Sequence, residues 1–254
     1  HHRVQLGSGR DTIVGGWGVV ELAFGPGIAP ADLQFSKVVQ GGNSFLQVAY
    51  SAADAALLKW DATGMNYELT FADGARQTLV DLVRARGFAA STISGTSNAD
   101  MLDDGLGNDT LLGGAGGDTL RALFGDNLID GGAGNDAIVD GMGDDTYVFS
   151  LGMGADGVSV RADAAAGRNV VRMGAGIAAT DIRVSLTNKE LNLEHVNGVD
   201  RLRFASDESR LAKDQTVPTD TAVSVVRVEF ADGSIWTVDD LRAHAQAVTE
   251  GPDV

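Results

Sequence analysis

The chain has 254 residues and a formal net charge of −16 at pH 7, with 35 acidic against 19 basic side chains and no cysteine. That acidic balance, with no basic stripe, disfavours nucleic acid and anionic membranes as partners, and no apolar run reaches the ~18 residues of a membrane-spanning helix. No disulfide holds the fold, and the length suits one large domain or two or three small ones.

His1 and His2 read as a tag remnant or as native sequence, and no N-terminal secretory signal is visible. Val4 and Ile13 stand nine residues apart, and "LGSGRDTIV" (6–14) places Asp11 sixth in a block of nine. "GGWGVVE" opens another block, but Val20 stands where the aspartate belongs, so a degenerate tract is expected over 1–23. Residues 24–92 predict several short strands and then a helix, with "FADGARQTLVDLVRAR" from Phe71 supplying an Asp-Gly turn ahead of the helix.

From Gly95 to Val148 the period of nine is sustained: "GTSNADMLD", "DGLGNDTLL", "GGAGGDTLR", "ALFGDNLID", "GGAGNDAIV", "DGMGDDTYV". The sixth place holds Asp100, Asp109, Asp118, Asn127, Asp136 and Asp145, and the eighth Leu102, Leu111, Leu120, Ile129, Ile138 and Tyr147. Self-similarity at a fixed period marks a solenoid, in which each block contributes a tight turn and a very short strand with one side chain facing inward. Glycine allows the turn, and aspartate is short enough to keep its carboxylate within it. Calcium takes six to eight hard oxygen ligands, from carboxylates and backbone carbonyls. Residues 95–158 hold twelve aspartates, no glutamate and one arginine, Arg121, so the acidity is a local property of the repeats. Two carboxylates ~4–5 Å apart repel by about 3–4 kcal/mol at an effective dielectric of ~20. Divalent cations remove that cost, and without them the tract is expected to be largely unfolded.

These blocks resemble the GGxGxDxUx nonapeptides of RTX proteins; "GGAGGDTLR" and "GGAGNDAIV" match in full. The resemblance implies a mainly β fold, a parallel β-roll over 93–158 in which block n stacks on block n+2 and several Ca2+ ions lie between stacked loops. One edge would stack Asp100, Asp118 and Asp136, the other Asp109, Asn127 and Asp145. Each ion would take sixth-place carboxylates and carbonyls from the first four places. On the first edge those residues are Gly113, Gly114, Ala115 and Gly116 with Asp118, and Gly131, Gly132, Ala133 and Gly134 with Asp136. One ion would join Asp118, Gly114 and Gly116 to Gly131, Ala133 and Asp136. On the second edge they are Gly105 and Gly107 with Asp109, and Gly141 and Gly143 with Asp145. Leu123 and Asn127 depart from the pattern there, so weaker sites are expected, and "GTSNAD" lacks two glycines at Asp100. Asp11 is a further candidate ligand in the N-terminal tract.

After the tract, "LGMGADGV" (151–158) repeats the block with a two-residue slip and makes Asp156 a marginal ligand. Its glycines also spell Gly152-x-Gly154-x-x-Gly157, but "VSVRAD" then reads as strand, so the helix N-terminus of a dinucleotide site is missing. Residues 159–248 repeat the earlier module: "GIAPADLQF" at Gly27 resembles "GIAATDIRV" at Gly176, and "FADGSIWTVDDLRAHA" at Phe230 resembles the segment at Phe71. "IRVSL", "LNLEHV" and "VSVVRVEF" predict strands, "SDESRLAKDQTVPTD" a loop, and Thr237 with Asp240 a helix cap. Val238, Leu241, Ala245 and Val248 fall on one face of that helix, which is expected to cover a flank or open edge of the solenoid. Both modules resemble the haemolysin-type calcium-binding-related segments that separate RTX tracts. "TEGPDV" reads as the lead-in to a further tract over 249–254, so the stretch is expected to belong to a longer array.

Other chemistries find little footing. "DMLDDG" at Asp100 resembles an EF-hand start, but Leu102 and Leu111 occupy its third and twelfth places. There is no H-E-x-x-H and no G-x-S-x-G. Asp103 and Asp104 could serve as an acid/base pair, but turn geometry and calcium explain them more simply. His195 and His244 show no metal spacing and read as exposed polar residues; Trp17, Trp60 and Trp236 read as module core, or as sugar-stacking residues. The expected role is therefore non-catalytic: a structural calcium-binding region of a large extracellular or cell-surface protein of adhesin, surface-layer or filament type. The resemblance implies type I secretion and folding on calcium after export, with neighbouring repeats as partners, self-assembly or glycan as further ones, and no membrane insertion. The alternatives are the C-terminal region of a secreted toxin or hydrolase, and a glycan-binding module.

Overall fold

The computed structural model describes residues 2–6, 9–13, 19–40, 43–59, 66–160, 168–186, 190–206 and 225–249. Trp17, Trp60, the turn at 187–189, the polar loop beyond Ser206 and the lead-in at 250–254 lie outside the described residues. The chain divides into two units, His1–Ala89 and Ala90–Val254.

Among the described residues the first unit has eight strands and an α-helix: β1 His2–Gln5, β2 Arg10–Ile13, β3 Val19–Ala23, β4 Gln34–Gln40, β5 Asn43–Ala49, β6 Ala55–Lys59, β7 Asn66–Thr70, β8 Arg76–Thr78 and α1 Leu79–Arg86. They form two sheets, ordered β1-β3-β7-β8 and β2-β6-β5-β4. The β1–β3, β3–β7 and β2–β6 pairs are parallel, and the remaining pairs are antiparallel hairpins. The expected tract at 1–23 and the module after it thus share their sheets. Leu22, Leu33, Leu46, Leu58 and Leu69 are fully buried, each contributing about 1.5–3 kcal/mol of apolar burial. Thr78 caps α1 by accepting from the Asp81 N–H, and Gly87 ends it at φ 59°.

In the second unit the period of nine becomes an alternation between two sheets. The elements are β9 Thr92–Ser94, β10 Met101–Asp103, β11 Thr110–Leu112, β12 Thr119–Phe124, β13 Leu128–Asp130, β14 Ala137–Met142, β15 Thr146–Phe149, β16 Ala155–Val160, β17 Asn169–Met173, β18 Ile182–Leu186, β19 Glu190–His195, β20 Arg201–Ser206, β21 Val225–Glu229, β22 Ile235–Thr237 and α2 Val238–Thr249. The sheet orders are β10-β12-β14-β16-β20-β19-β18 and β22-β21-β17-β15-β13-β11-β9.

Within the tract the strands pair in parallel: Leu102 faces Leu120, which faces Ile138, and Leu111 faces Ile129, which faces Tyr147. Each partner is two blocks along, so two nonapeptides make one coil. These eighth-place side chains are all buried and fill the space between the sheets. The slip of two residues appears where Ala137 pairs with Gly157. The module boundary expected at 158/159 falls inside β16, because β16 pairs directly with β20 and the module's strands extend the roll's own sheet. The second unit also ends as the first does: β16-β20-β19-β18 and β15-β17-β21-β22 have the connectivity of β2-β6-β5-β4 and β1-β3-β7-β8. Helix α2 packs against the edge strand β18 and against β22, with Leu241 buried in the core. Trp236 is buried against Phe230, and the exposed His244 ring lies on it.

Candidate metal centre

Loops 95–100, 113–118 and 131–136 lead from one sheet to the other along the first edge of the roll. The rungs approach so closely that a Cβ at Gly113 would come within 2.1 Å of the Gly131 carbonyl oxygen, and one at Gly134 within 1.5 Å of that of Gly116. Gly134 also has φ 146°, a conformation other residues rarely adopt. Glycine is thus required by the stacking itself, and Ala115 and Ala133 pair across the rungs as an isolated parallel bridge.

The sixth-place residues build a ladder. The N–H of Asp100 donates to Asp118 Oδ1 (2.8 Å), that of Asp118 to Asp136 Oδ1 (2.7 Å), and that of Asp136 to Asp156 Oδ1 (2.9 Å). In return the Asp118 carbonyl accepts from Ala137 N–H and the Asp136 carbonyl from Gly157 N–H. The second carboxylate oxygen is left over. Asp100 Oδ2 accepts from the Thr96 N–H and hydroxyl, but the Oδ2 atoms of Asp118, Asp136 and Asp156 are buried with no hydrogen-bond partner among the described residues. Burial raises the Asp136 carboxyl above its ordinary value and lifts Asp156 to about 7, with the charges of Asp136, Asp130 and Asp200 adding to the latter. Asp136 Oδ2 and Asp156 Oδ2 both point at Gly131.

The second edge differs. The resemblance places loop positions over 122–125 and 140–143, but β12 and β14 run on through them: Ala122 pairs with Asp140 and Phe124 with Met142. Ala122, Leu123 and Phe124 are buried, so this apolar segment continues the strand instead of turning. Gly141 therefore lies in a strand, pressed on the Leu123 backbone, while Gly143 takes the turn at φ 154°. The ladder persists: the N–H of Asp109 donates to Asn127 Oδ1, that of Asn127 to Asp145 Oδ1, and that of Asp145 to Asn169 Oδ1. Each carboxylate oxygen of Asp109 has a partner, accepting from the N–H groups of Ser91 and Gly105; Gly107 supports the turn above by backing its carbonyl onto Gly125. Asp140, at a first place where the pattern calls for glycine, is fully buried and accepts at Oδ2 from Asn169 Nδ2, while Asp140 Oδ1 and Asp145 Oδ2 are buried with no hydrogen-bond partner among the described residues. Burial lifts Asp140 to about 6 and also raises Asp145, which Asp140 raises further.

The structure therefore brings Asp100, Asp118 and Asp136 onto one edge and Asp109, Asn127 and Asp145 onto the other, as expected, and stacks Asp156 on the first. Asp11 lies on β2 opposite Ala56, with no sixth-place carboxylate stacked on it among the described residues. Asp140, Asn169 and Asp200 escaped the period. Asn169 follows Asp145 by 24 residues rather than 18, and its only signal is an Asn placed before the apolar strand "VVRM". Asp200 accepts from the N–H groups of Gly152 and Gly154, as Asp54 does from Gly9 in the first unit.

Three buried, unpartnered carboxylate oxygens in one row, beside closely stacked glycine-rich loops, fit a hard divalent cation. No group of three or more His, Cys, Asp or Glu side chains converges among the described residues, so an ion here leans on backbone oxygens as well as on two carboxylates. No helix among the described residues is long and apolar enough to cross a membrane.

The family comparison points the same way. Residues 3–19, 89–120 and 122–152 match the RTX calcium-binding nonapeptide repeat in four copies, and no curated protein matches the chain. Among solved structures, the extracellular lipase LipA of Serratia marcescens is 19% identical over 84% of this chain and 37% of the lipase chain, with a TM-score of 0.35. The AlgE6R3 subunit of the Azotobacter vinelandii mannuronan C5-epimerase is 26% identical over 47% of this chain and 77% of that one, with a TM-score of 0.33. The AlgE6R2 subunit of the same enzyme is 23% identical over 48% and 88%, with a TM-score of 0.34. The chain thus spans about a third of the length of the lipase it matches. The chain thus carries RTX calcium-binding nonapeptide repeats, and their stacked blocks form the paired parallel sheets of a β-roll.

Proposed function

We propose that this chain is a structural, non-catalytic region of a secreted RTX protein of adhesin, surface-layer or filament type, ordered by calcium outside the cell. The observation that carries the reading is the row of unpartnered Oδ2 atoms on Asp118, Asp136 and Asp156. Asp118 and Asp136 would hold one ion with the carbonyls of Gly114, Gly116, Gly131 and Ala133, and Asp136 and Asp156 a further one. Bound calcium supplies the positive charge that the aspartate row lacks and adds binding free energy to folding. For a Kd of ~0.1 mM, within the extracellular range, ~1 mM free calcium contributes about 1.4 kcal/mol per independent site. Cytosolic calcium is far scarcer, so the aspartates keep the chain loose for export and allow it to order after release. Neighbouring repeats of the same polypeptide are its first partners; self-assembly or glycan binding by the strand-and-helix modules would extend the role.

The test is a calcium titration followed by circular dichroism, with magnesium as control. Calcium should induce β-structure and raise the melting midpoint. Full β-structure and unchanged melting in chelator would overturn the reading, and hydrolysis of a substrate by this chain alone would overturn its non-catalytic part.

A further inference from the structure

The two edges share one ladder but satisfy the atoms beyond it differently. Asn127 Oδ1 accepts from the Asp109 N–H at 2.8 Å, which fixes the orientation of the amide. Its Nδ2 is thereby turned on the carbonyl oxygens of Phe124 (3.2 Å) and Gly125 (3.1 Å). Asn169 repeats the device one coil further on: Oδ1 accepts from Asp145 N–H at 2.8 Å, and Nδ2 donates to Asp140 Oδ2 at 2.9 Å. Both amides are buried. An amide NH2 presents two partly positive hydrogens and accepts nothing, so it satisfies inward oxygens as a cation would, at no net charge. A second row of bonds on this edge, from the N–H groups of Asp126, Asp144 and Arg168 to the Oδ1 atoms of Asn108, Asp126 and Asp144, ties the same turns together without metal.

We propose that Asn127 and Asn169 are built-in cation surrogates, so that calcium loads the first edge while the turns these two amides serve need no ion. The proposal rests on the calcium reading above and specifies where the ions go. It also makes the second edge convertible. Replacing Asn127 Nδ2 by a carboxylate oxygen would set three oxygens around one point, the outer two 3.1 and 3.2 Å from the new one. Neighbouring ligands of an ion with Ca–O distances of ~2.4 Å stand roughly 3.1–3.4 Å apart.

The experiment counts bound ions by equilibrium dialysis with calcium alone, and records melting in saturating calcium, for the unaltered chain and for Asn127→Ala, Asn169→Ala, Asn127→Asp and Asp118→Asn. Both alanine variants should keep the full ion count while melting about 4–8 °C lower or more, as expected for losing three buried hydrogen bonds. Asn127→Asp should gain one ion, and Asp118→Asn should lose at least one. Loss of an ion in either alanine variant, or an unchanged count in Asn127→Asp, would overturn the proposal; the aspartate arm decides the matter if an alanine variant does not fold. Absence of calcium binding by the unaltered chain would instead refute the parent reading.

Discussion

The two units finish with the same strand connectivity, yet only the second carries a sustained aspartate ladder. In the first unit, Asp54 grips Gly9, and apolar strands and hairpins surround a core of buried leucines. In the second, Asp200 grips Gly152 and Gly154 in the same way, but beneath it lie stacked loops with buried unpartnered carboxylate oxygens. The comparison separates two sources of order. A hairpin module closed by a helix draws on apolar burial and internal hydrogen bonds, whereas a roll of tight acidic loops is left with buried carboxylate oxygens that a cation can satisfy.

Removing calcium should have the largest effect and should divide the units. In chelator, peptides covering 95–156 are expected to lose hydrogen-exchange protection while those covering β4 to β6 keep theirs; equal loss in both would break the comparison. Gly134→Ala comes next, since it strains the backbone and drives a Cβ into the Gly116 carbonyl. A cost above about 2 kcal/mol is expected, read as a fall in melting midpoint in saturating calcium. Asp136→Ala should then weaken two neighbouring calcium sites, because its carboxylate would serve both the ion beside Asp118 and the ion beside Asp156, and Asn127→Ala should leave calcium binding unchanged. Equal losses of affinity would refute the assignment of the edges.

Acidity should act on the ladder in a predictable direction. Asp140 at about 6 and Asp156 at about 7 stand above the ~3.9 of an unfolded aspartate, so the fold prefers their neutral forms. The stability they contribute is complete below pH ~4 and is lost as pH rises through 6 to 7. In chelator the roll should therefore be more ordered at pH 5 than at pH 8, and Asp156→Asn should flatten that dependence. In calcium the direction should reverse, because binding requires the charged carboxylates. The smallest effect is expected at the closing aspartates: Asp200→Ala should lower the melting midpoint more than Asp54→Ala. Asp200 is buried and accepts from Gly152, Gly154 and Asn197, whereas Asp54 bonds Gly9 and Ser51 at a more open site.

Much of this was legible in the period. An apolar residue at every eighth place can only serve a stacked core, and Leu111, Ile129 and Tyr147 do fill it. Sixth-place aspartates must share an edge once two blocks make a coil. The helix start at Thr237 was equally local, since a threonine and an acid three residues on satisfy each other's backbone. The extent of the strands on the second edge was not legible, because "ALF" fits a degenerate loop or a longer strand, and only the pairing of Ala122 with Asp140 decides between them. Nor was Asn169, which enters the ladder across a 24-residue step with no periodic mark.

By itself, then, the sequence determined the repeat and the residues facing its interior, because these follow from counting along a chain of fixed period, while the coil of two nonapeptides and the edge on which each sixth-place side chain falls were what the resemblance to RTX repeats implied. Tertiary structure decided which carboxylate oxygens are left without a partner, where the amides of Asn127 and Asn169 point, and how the following module extends the roll's sheets. Those outcomes depend on atoms brought together from distant rungs, whose separation in space bears no fixed relation to their spacing in the chain.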